Sequence, residues 1–165
     1  MLTMTFPERK VIDDSNHDLA QRDEFQRSGL RRIQEVEYLI GTMVASWQSS
    51  STVLSGRRWH HIRYTIPVTI TPLDDRTEEP IGQPKLVRGR DISQGGVSFT
   101  HDHPLPFRKA ALTFPLEEGS VASFVVRLNW CRFNRDGGYH SGCRFVRTIA
   151  SPIGGDIDWS LLPQA

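Results

Sequence analysis

Phe124-Val125-Val126-Arg127-Leu128-Asn129-Trp130 and Tyr139-His140-Ser141-Gly142-Cys143-Arg144-Phe145 flank the turn residues Asp136-Gly137-Gly138. In the first run Phe124, Val126, Leu128 and Trp130 fall at every second position. In the second, Tyr139, Cys143 and Phe145 follow the same beat, with Ser141 between them. A period of two puts alternate side chains on opposite faces of a strand, so each run predicts a strand with one buried face. The Asp-Gly pair predicts a tight hairpin between them.

The pattern repeats on the N-terminal side. Ala110, Leu112, Phe114 and Leu116 alternate, as do Tyr64, Ile66, Val68 and Ile70 against Arg63, Thr65, Pro67 and Thr69. A further short strand is expected over Val97 to Thr100. Turn signals separate these runs at Asp74-Asp75, Pro80 to Pro84 and Glu117 to Gly119. Pro67 lacks an N–H, which predicts an edge position or a bulge there. Five or six short strands sharing one apolar face predict a mainly β, closed or nearly closed antiparallel barrel, because closure removes unpaired edges.

Upstream the period changes. Ser15-Asn16-His17-Asp18 has the form of a helix-start capping box. From there a helical pattern runs to about Trp47. Ile33, Val36, Ile40, Met43 and Trp47 recur at steps of three and four, which places them on one helical face. Gly29 and Gly41 each weaken that helix by roughly 1 kcal/mol relative to Ala. The stripe spans about two heptads, shorter than the three or four a coiled coil needs. It is expected to pack on the barrel or on a second copy of itself, and it is a candidate surface for a protein partner. Residues 48–56 are Ser-rich and read as a linker. The organisation is therefore 1–56 for tail, amphipathic helix and linker, 57–150 for the barrel, and 151–165 for a C-terminal tail or short helix. In that tail Ile157, Trp159 and Leu161 are expected to pack back onto the barrel.

The chain has 165 residues and a net charge of +1, which argues against sequence-independent nucleic-acid binding. The exposed aromatic-and-basic sheet of an RNA-binding barrel is not evident either. No run reaches the roughly 18 apolar residues of a membrane span. Residues 1–14 lack the apolar core of a secretory signal. Of the two cysteines, the alternation points Cys131 outward and Cys143 inward, so no bridge is expected. A cytoplasmic protein with reduced thiols is the expectation.

Two segments carry chemistry. Asp91-Ile92-Ser93-Gln94-Gly95-Gly96-Val97 is a D-x-S-x-x-G turn feeding a strand. An ionised Asp accepts two hydrogen bonds, matching the N1–H and N2–H₂ edge of guanine, and Ser93 adds a donor or acceptor. Gly95 and Gly96 allow the backbone a tight turn and a close approach to a planar ligand. Arg57-Arg58-Trp59-His60-His61-Ile62-Arg63 precedes it by about thirty residues. Guanidinium groups fork onto phosphate oxygens and stack on flat bases. Together, the acceptors and the fixed cations suit a nucleotide that is bound and not chemically changed.

These motifs, in this order and followed by this strand pattern, resemble the PilZ domain family. The resemblance covers roughly residues 57–149. Asp91, Ser93 and Gly96 match the family's (D/N)-x-S-x-x-G turn. Asn129-Trp130 and Ser141-Gly142-Cys143-Arg144-Phe145 look like its closing hairpin. The R-x-x-x-R lead-in is matched less regularly. Four residues separate Arg58 from Arg63, and strict spacing pairs Arg57 with His61 or Trp59 with Arg63. The resemblance implies a six-stranded antiparallel β-barrel with an N-terminal helical extension, and a bacterial, non-enzymatic receptor for cyclic di-GMP. It implies that Arg57, Arg58 and Arg63 hold phosphate and stack on guanine. Asp91 and Ser93 would read the guanine edge, with Gly95 and Gly96 shaping the turn. The alternative is an adaptor that does not bind the dinucleotide and works through protein contacts. No metal is expected, since His101-Asp102-His103 lacks a third ligand. Nor does a nucleophile frame surround Ser93.

Overall fold

A computed structural model describes residues 31, 34–45, 53–54, 61–116, 119–153 and 158–165. Helix α1 covers residues 34–45. The strands are β1 (Val53–Leu54), β2 (His61–Arg63), β3 (Pro67–Pro72), β4 (Lys85–Ser93), β5 (Gly96–His101), β6 (Lys109–Pro115), β7 (Val121–Phe133) and β8 (Tyr139–Ile149). Strand pairing runs β4-β3-β6-β7-β8-β5 and returns to β4, closing a six-stranded antiparallel barrel. β2 pairs with the end of β4, Ile62 opposite Ile92 and Arg63 opposite Asp91, and β1 adds to β2.

The alternating apolar residues fill the interior. Val68, Ile70, Leu112, Phe114, Phe124 and Val126 are almost wholly buried in one cluster. Phe114 and Phe124 meet edge-on at 5.8 Å, and Phe145 meets Phe124 at 5.1 Å. Burying each such ring contributes about 1.5–3 kcal/mol. Val36, Ile40 and Met43 of α1 belong to the same cluster, so the helical stripe is spent on the barrel core. The Thr148 hydroxyl donates to Glu35 at 3.1 Å beside it. Ile33, Trp47, Gly29 and the capping box at residues 15–18 lie outside the described residues.

Two departures from simple alternation and one from the expected packing of the tail are informative. Tyr64-Thr65-Ile66 lies opposite only Gly89-Arg90, an excess of one residue between β2 and β3. Tyr64 donates its N–H to Arg90 at 3.0 Å, and Gly89 donates to Ile66 at 3.2 Å. Ile66 is consequently exposed, and Pro67 opens β3 directly after the irregularity, where its missing N–H costs least. Secondly, a bulge between Leu128 and Trp130 absorbs Asn129. Leu128 pairs with the buried Cys143, but Trp130 pairs with Gly142 and so faces outward, not into the core as alternation predicts. The same bulge puts Cys131 opposite Ser141, on the inward pleat of Cys143; Cys131 is nonetheless exposed, and both thiols are free. Thirdly, Leu161 is exposed rather than packed, and Ile157 lies outside the described residues. The last residues hold the tail instead. Leu86 donates to Pro163 at 2.7 Å, Ala165 donates to Leu86 at 2.9 Å, and Asp102 donates to Ala165 at 2.7 Å.

The hairpin between β7 and β8 turns through Gly137 and Gly138, both left-handed with φ of 88° and 78°. Such φ values favour glycine, which has no Cβ to clash.

Candidate functional site

An open groove of about 980 Å³ crosses the outer surface of β2, β4, β5, β8 and β7. Its geometry follows from strand register, because directly paired antiparallel residues share a face. Arg63, Asp91, Ser98, Gly142 and Trp130 form one continuous cross-strand row. On one side of it lies the row Ser93, Gly96, Arg144 and Arg127. On the other lies Thr100, His140 and Arg132, with Arg90 beside them in a register shift of β4. Neighbouring same-face rows along a strand stand roughly 7 Å apart.

The D-x-S-x-x-G segment is a hairpin within the barrel wall, not a free loop. Asp91 and Ser93 end β4, Gln94 and Gly95 turn, and Gly96 starts β5 opposite Ser93. Gly96 is required by close packing. A Cβ there would stand 2.1 Å from the Cys143 carbonyl oxygen. The Gly95 carbonyl accepts from Phe145 N–H at 3.3 Å, tying the turn to β8. Ser93 is buried, and its hydroxyl donates to the Gly96 carbonyl at 3.3 Å.

Asp91 is part-buried and held at both oxygens. The Ser98 hydroxyl donates to one at 2.5 Å, and His61 Nδ1 donates to the other at 2.9 Å. A carboxylate only accepts, so Nδ1 of His61 carries the proton. About four lone-pair sites exist on a carboxylate, so two contacts leave acceptor capacity for a ligand. His61 therefore sits where strict R-x-x-x-R spacing from Arg57 places an arginine, and it aims the carboxylate.

The groove is cationic. Arg63, Arg90, Arg132 and Arg144 line it, and Asp91 is the one carboxylate among the described lining residues. Arg90 donates to His140 Nδ1 at 3.1 Å. The Arg132 guanidinium lies 5.4 Å from the Trp130 ring centroid, a cation–π contact. The Trp130 ring lies over Gly142, where an added Cβ would fall 2.3 Å from the indole.

Of the sequence-derived site residues, Arg63, Asp91, Ser93, Gly95 and Gly96 share this groove. Arg57 and Arg58 lie outside the described residues. Sequence reasoning missed Ser98, Gly142, Trp130, Arg132, Arg144, Arg90 and His140 as groove residues. Only the strand register, with its bulge at Asn129, brings them together. His101 does not present a metal-binding pair. Its ring is buried, bonded to the His103 carbonyl at 2.6 Å and to Ser141 at 2.9 Å. Burial pushes its pKa below the ordinary histidine value. Among the described residues no three metal-binding side chains converge, and no helix is long and apolar enough to cross a membrane.

No family model matches the chain, and no curated protein matches it. Among solved structures it is similar to the PilZ domain with c-di-GMP of YcgR from Escherichia coli. That match has 14% identity and a TM-score of 0.38, over 56% of this chain and 79% of that one. It is also similar to the MrkH–c-di-GMP complex of K. pneumonia. Here identity is 18% and the TM-score 0.40, over 56% of this chain and 45% of that one. The barrel described above rests on its own strand pairing, independently of these likenesses.

Proposed function

We propose that this chain is a PilZ-like receptor that binds cyclic di-GMP and performs no chemistry on it. The observation that carries the reading is the convergence of Asp91, Ser93 and Gly96 with Arg63 in one groove whose other charges are arginines. A planar purine fits the central row, where Gly142 offers no side chain and Trp130 offers a ring face. Asp91 supplies the acceptor for the guanine edge, and the arginines supply the counter-charge for two phosphodiesters. Arg57 and Arg58 of the lead-in join Arg63 on the ligand in this reading. No metal takes part. The protein acts in a bacterial cytoplasm.

The route outward runs through α1. A Cβ at Gly41 would lie 3.7 Å from the Gln94 amide nitrogen, so the helix passes beside the turn of the motif. Ligand that orders this turn biases how α1 docks, provided it favours one docking over another. Recruiting a partner or a second copy through Val36, Ile40 and Met43 requires undocking, because those side chains are in the core.

Isothermal calorimetry of the full chain with cyclic di-GMP tests the proposal. Saturable heat is expected. Asp91→Ala is expected to weaken binding by about 1.5–3 kcal/mol, one to two orders of magnitude. Heat no greater than dilution at high micromolar ligand rejects the receptor and leaves the adaptor reading, in which His61 and Ser98 hold Asp91 permanently.

A further inference from the structure

Arg90, His140 and Arg132 belong to neither sequence motif, yet they occupy one end of the groove together. His140 and Arg132 are directly paired across β8 and β7, and Arg90 reaches His140 from β4. We propose that these three side chains form a separate anion subsite that takes a phosphate group.

Four observations carry this. First, none of the three is paired with a carboxylate among the described residues, whereas Glu78, Lys109 and Arg147 elsewhere on the barrel are paired. Arginines left without counter-ions in a concave surface are a standing demand for an anion. Secondly, the cations are pre-positioned. Arg132 rests on Trp130, and Arg90 is anchored on His140. Less side-chain freedom is then lost when an anion arrives. Thirdly, an arginine only donates, so His140 Nδ1 is the acceptor of the Arg90 bond. In the neutral ring this puts the proton on Nε2, which leaves a third donor beside the two guanidinium groups. Fourthly, the one carboxylate among the described groove residues, Asp91, is in the next row and already accepts from His61 and Ser98. It does not neutralise this end.

The ligand class is a phosphate mono- or diester. With the reading above, the subsite holds the phosphate that lies farther from the lead-in arginines, or a second nucleotide stacked on the first. The subsite does not depend on guanine recognition, and its test is chosen accordingly.

Inorganic pyrophosphate is titrated into the ¹⁵N-labelled full chain, with the Trp130 indole N–H and the His140 amide as reporters. Saturable shifts are expected in the parent protein. Arg132→Ala and Arg90→Ala are each expected to weaken pyrophosphate about tenfold, the loss of one charge-assisted contact. Asp91→Ala, which removes a negative charge from the neighbouring row, is expected not to weaken it. Thermal melts confirm that the variants fold. Parent-like affinity in an Arg90→Ala/Arg132→Ala double variant, or no saturable shift in the parent, overturns the subsite. If pyrophosphate behaves as expected while cyclic di-GMP gives no calorimetric heat, the subsite stands and the receptor reading falls.

Discussion

The barrel wears two unlike outer faces. Over β3, β6 and the start of β7, the outward positions are Thr69, Thr71, Ala111, Thr113, Ser123 and Val125, all essentially without solvent exposure. Over β4, β5, β8 and the far half of β7, the outward positions carry Asp91, Trp130, Arg132, Arg144 and His140 around a groove. One face is small and closed, and uncharged except at its edge, where Lys109 and Arg147 meet Glu78. The other is charged, aromatic and open. The same β pattern underlies both, so the difference lies entirely in what the non-core half of each alternation carries. A barrel interior states that a chain folds; its exterior states what the fold is for.

The sharpest way to break this comparison is to exchange the charges. Ala111→Asp places a carboxylate at a fully buried outer position. It is expected to cost more than about 4 kcal/mol and to abolish cooperative unfolding, because a carboxylate is forced out of water into space packed around a methyl group. Arg144→Glu on the open face is expected to stay within about 0.5 kcal/mol of the parent in urea denaturation. Equal losses for the two variants would show that the faces are not distinct.

The next effect separates two glycines of the groove. Gly96→Ala drives a Cβ into a backbone carbonyl of β8, which cannot move without opening the barrel seam. A loss of about 2–3 kcal/mol is expected. Gly142→Ala meets first the Trp130 ring, a side chain that is 39% exposed, and not a backbone group. Its stability cost is expected to be under about 1 kcal/mol, with the larger change in ligand affinity.

Smaller still is the ion cluster on the side of the barrel. Glu78 sits at φ 59° and accepts from Lys109 Nζ at 3.1 Å and from two nitrogens of Arg147. Burial raises its pKa, but the Arg147 and Lys109 hydrogen bonds outweigh that and hold the carboxyl below its ordinary 4.5. A depressed folded-state pKa means stability that is present above pH 4.5 and lost as pH falls through the folded value. His101 adds an earlier acid loss. Burial depresses its pKa below 6.5, so the unfolded chain takes up its proton first as pH falls. Glu78→Gln is expected to cost about 1 kcal/mol at pH 7, since part of the cluster is solvent-screened, and to flatten the pH profile of stability below pH 4.5. An unchanged profile would remove Glu78 from the account.

The smallest expected effect is a gain. The hydroxyls of Thr69 and Thr71 are buried with no hydrogen-bond partner among the described residues. Thr71→Val replaces one by a methyl group of similar shape and is expected to raise stability by about 1 kcal/mol, read as a rise of a few degrees in melting temperature. A fall would mean that the closed face needs its hydroxyls.

The inner face was legible in the sequence because core positions obey one rule, apolar at every second residue. Val68, Ile70, Leu112, Phe114, Phe124 and Val126 all followed it. The outer site was legible only where a local motif marks it, at Asp91, Ser93 and Gly96. Trp130 was misplaced because a bulge changes parity without changing composition, and nothing in Leu128-Asn129-Trp130 announces one. Ile66 failed for the same reason at the other irregularity. Arg132, Arg144 and His140 looked like ordinary solvated positions. They join Asp91 only through pairings across β5 and β8, up to some fifty residues away in the chain.

Asn129 thus acts as a phase setter for the entire far end of the β7–β8 ribbon. Drawing Asn129 into regular pairing with Gly142, with no residue removed, would send Trp130 and Arg132 to the concave side and turn Cys131 and Phe133 to the outer pleat, making a basic, aromatic palm a thiol-bearing one. On this ribbon the placement of one unpaired residue decides which side chains the palm presents.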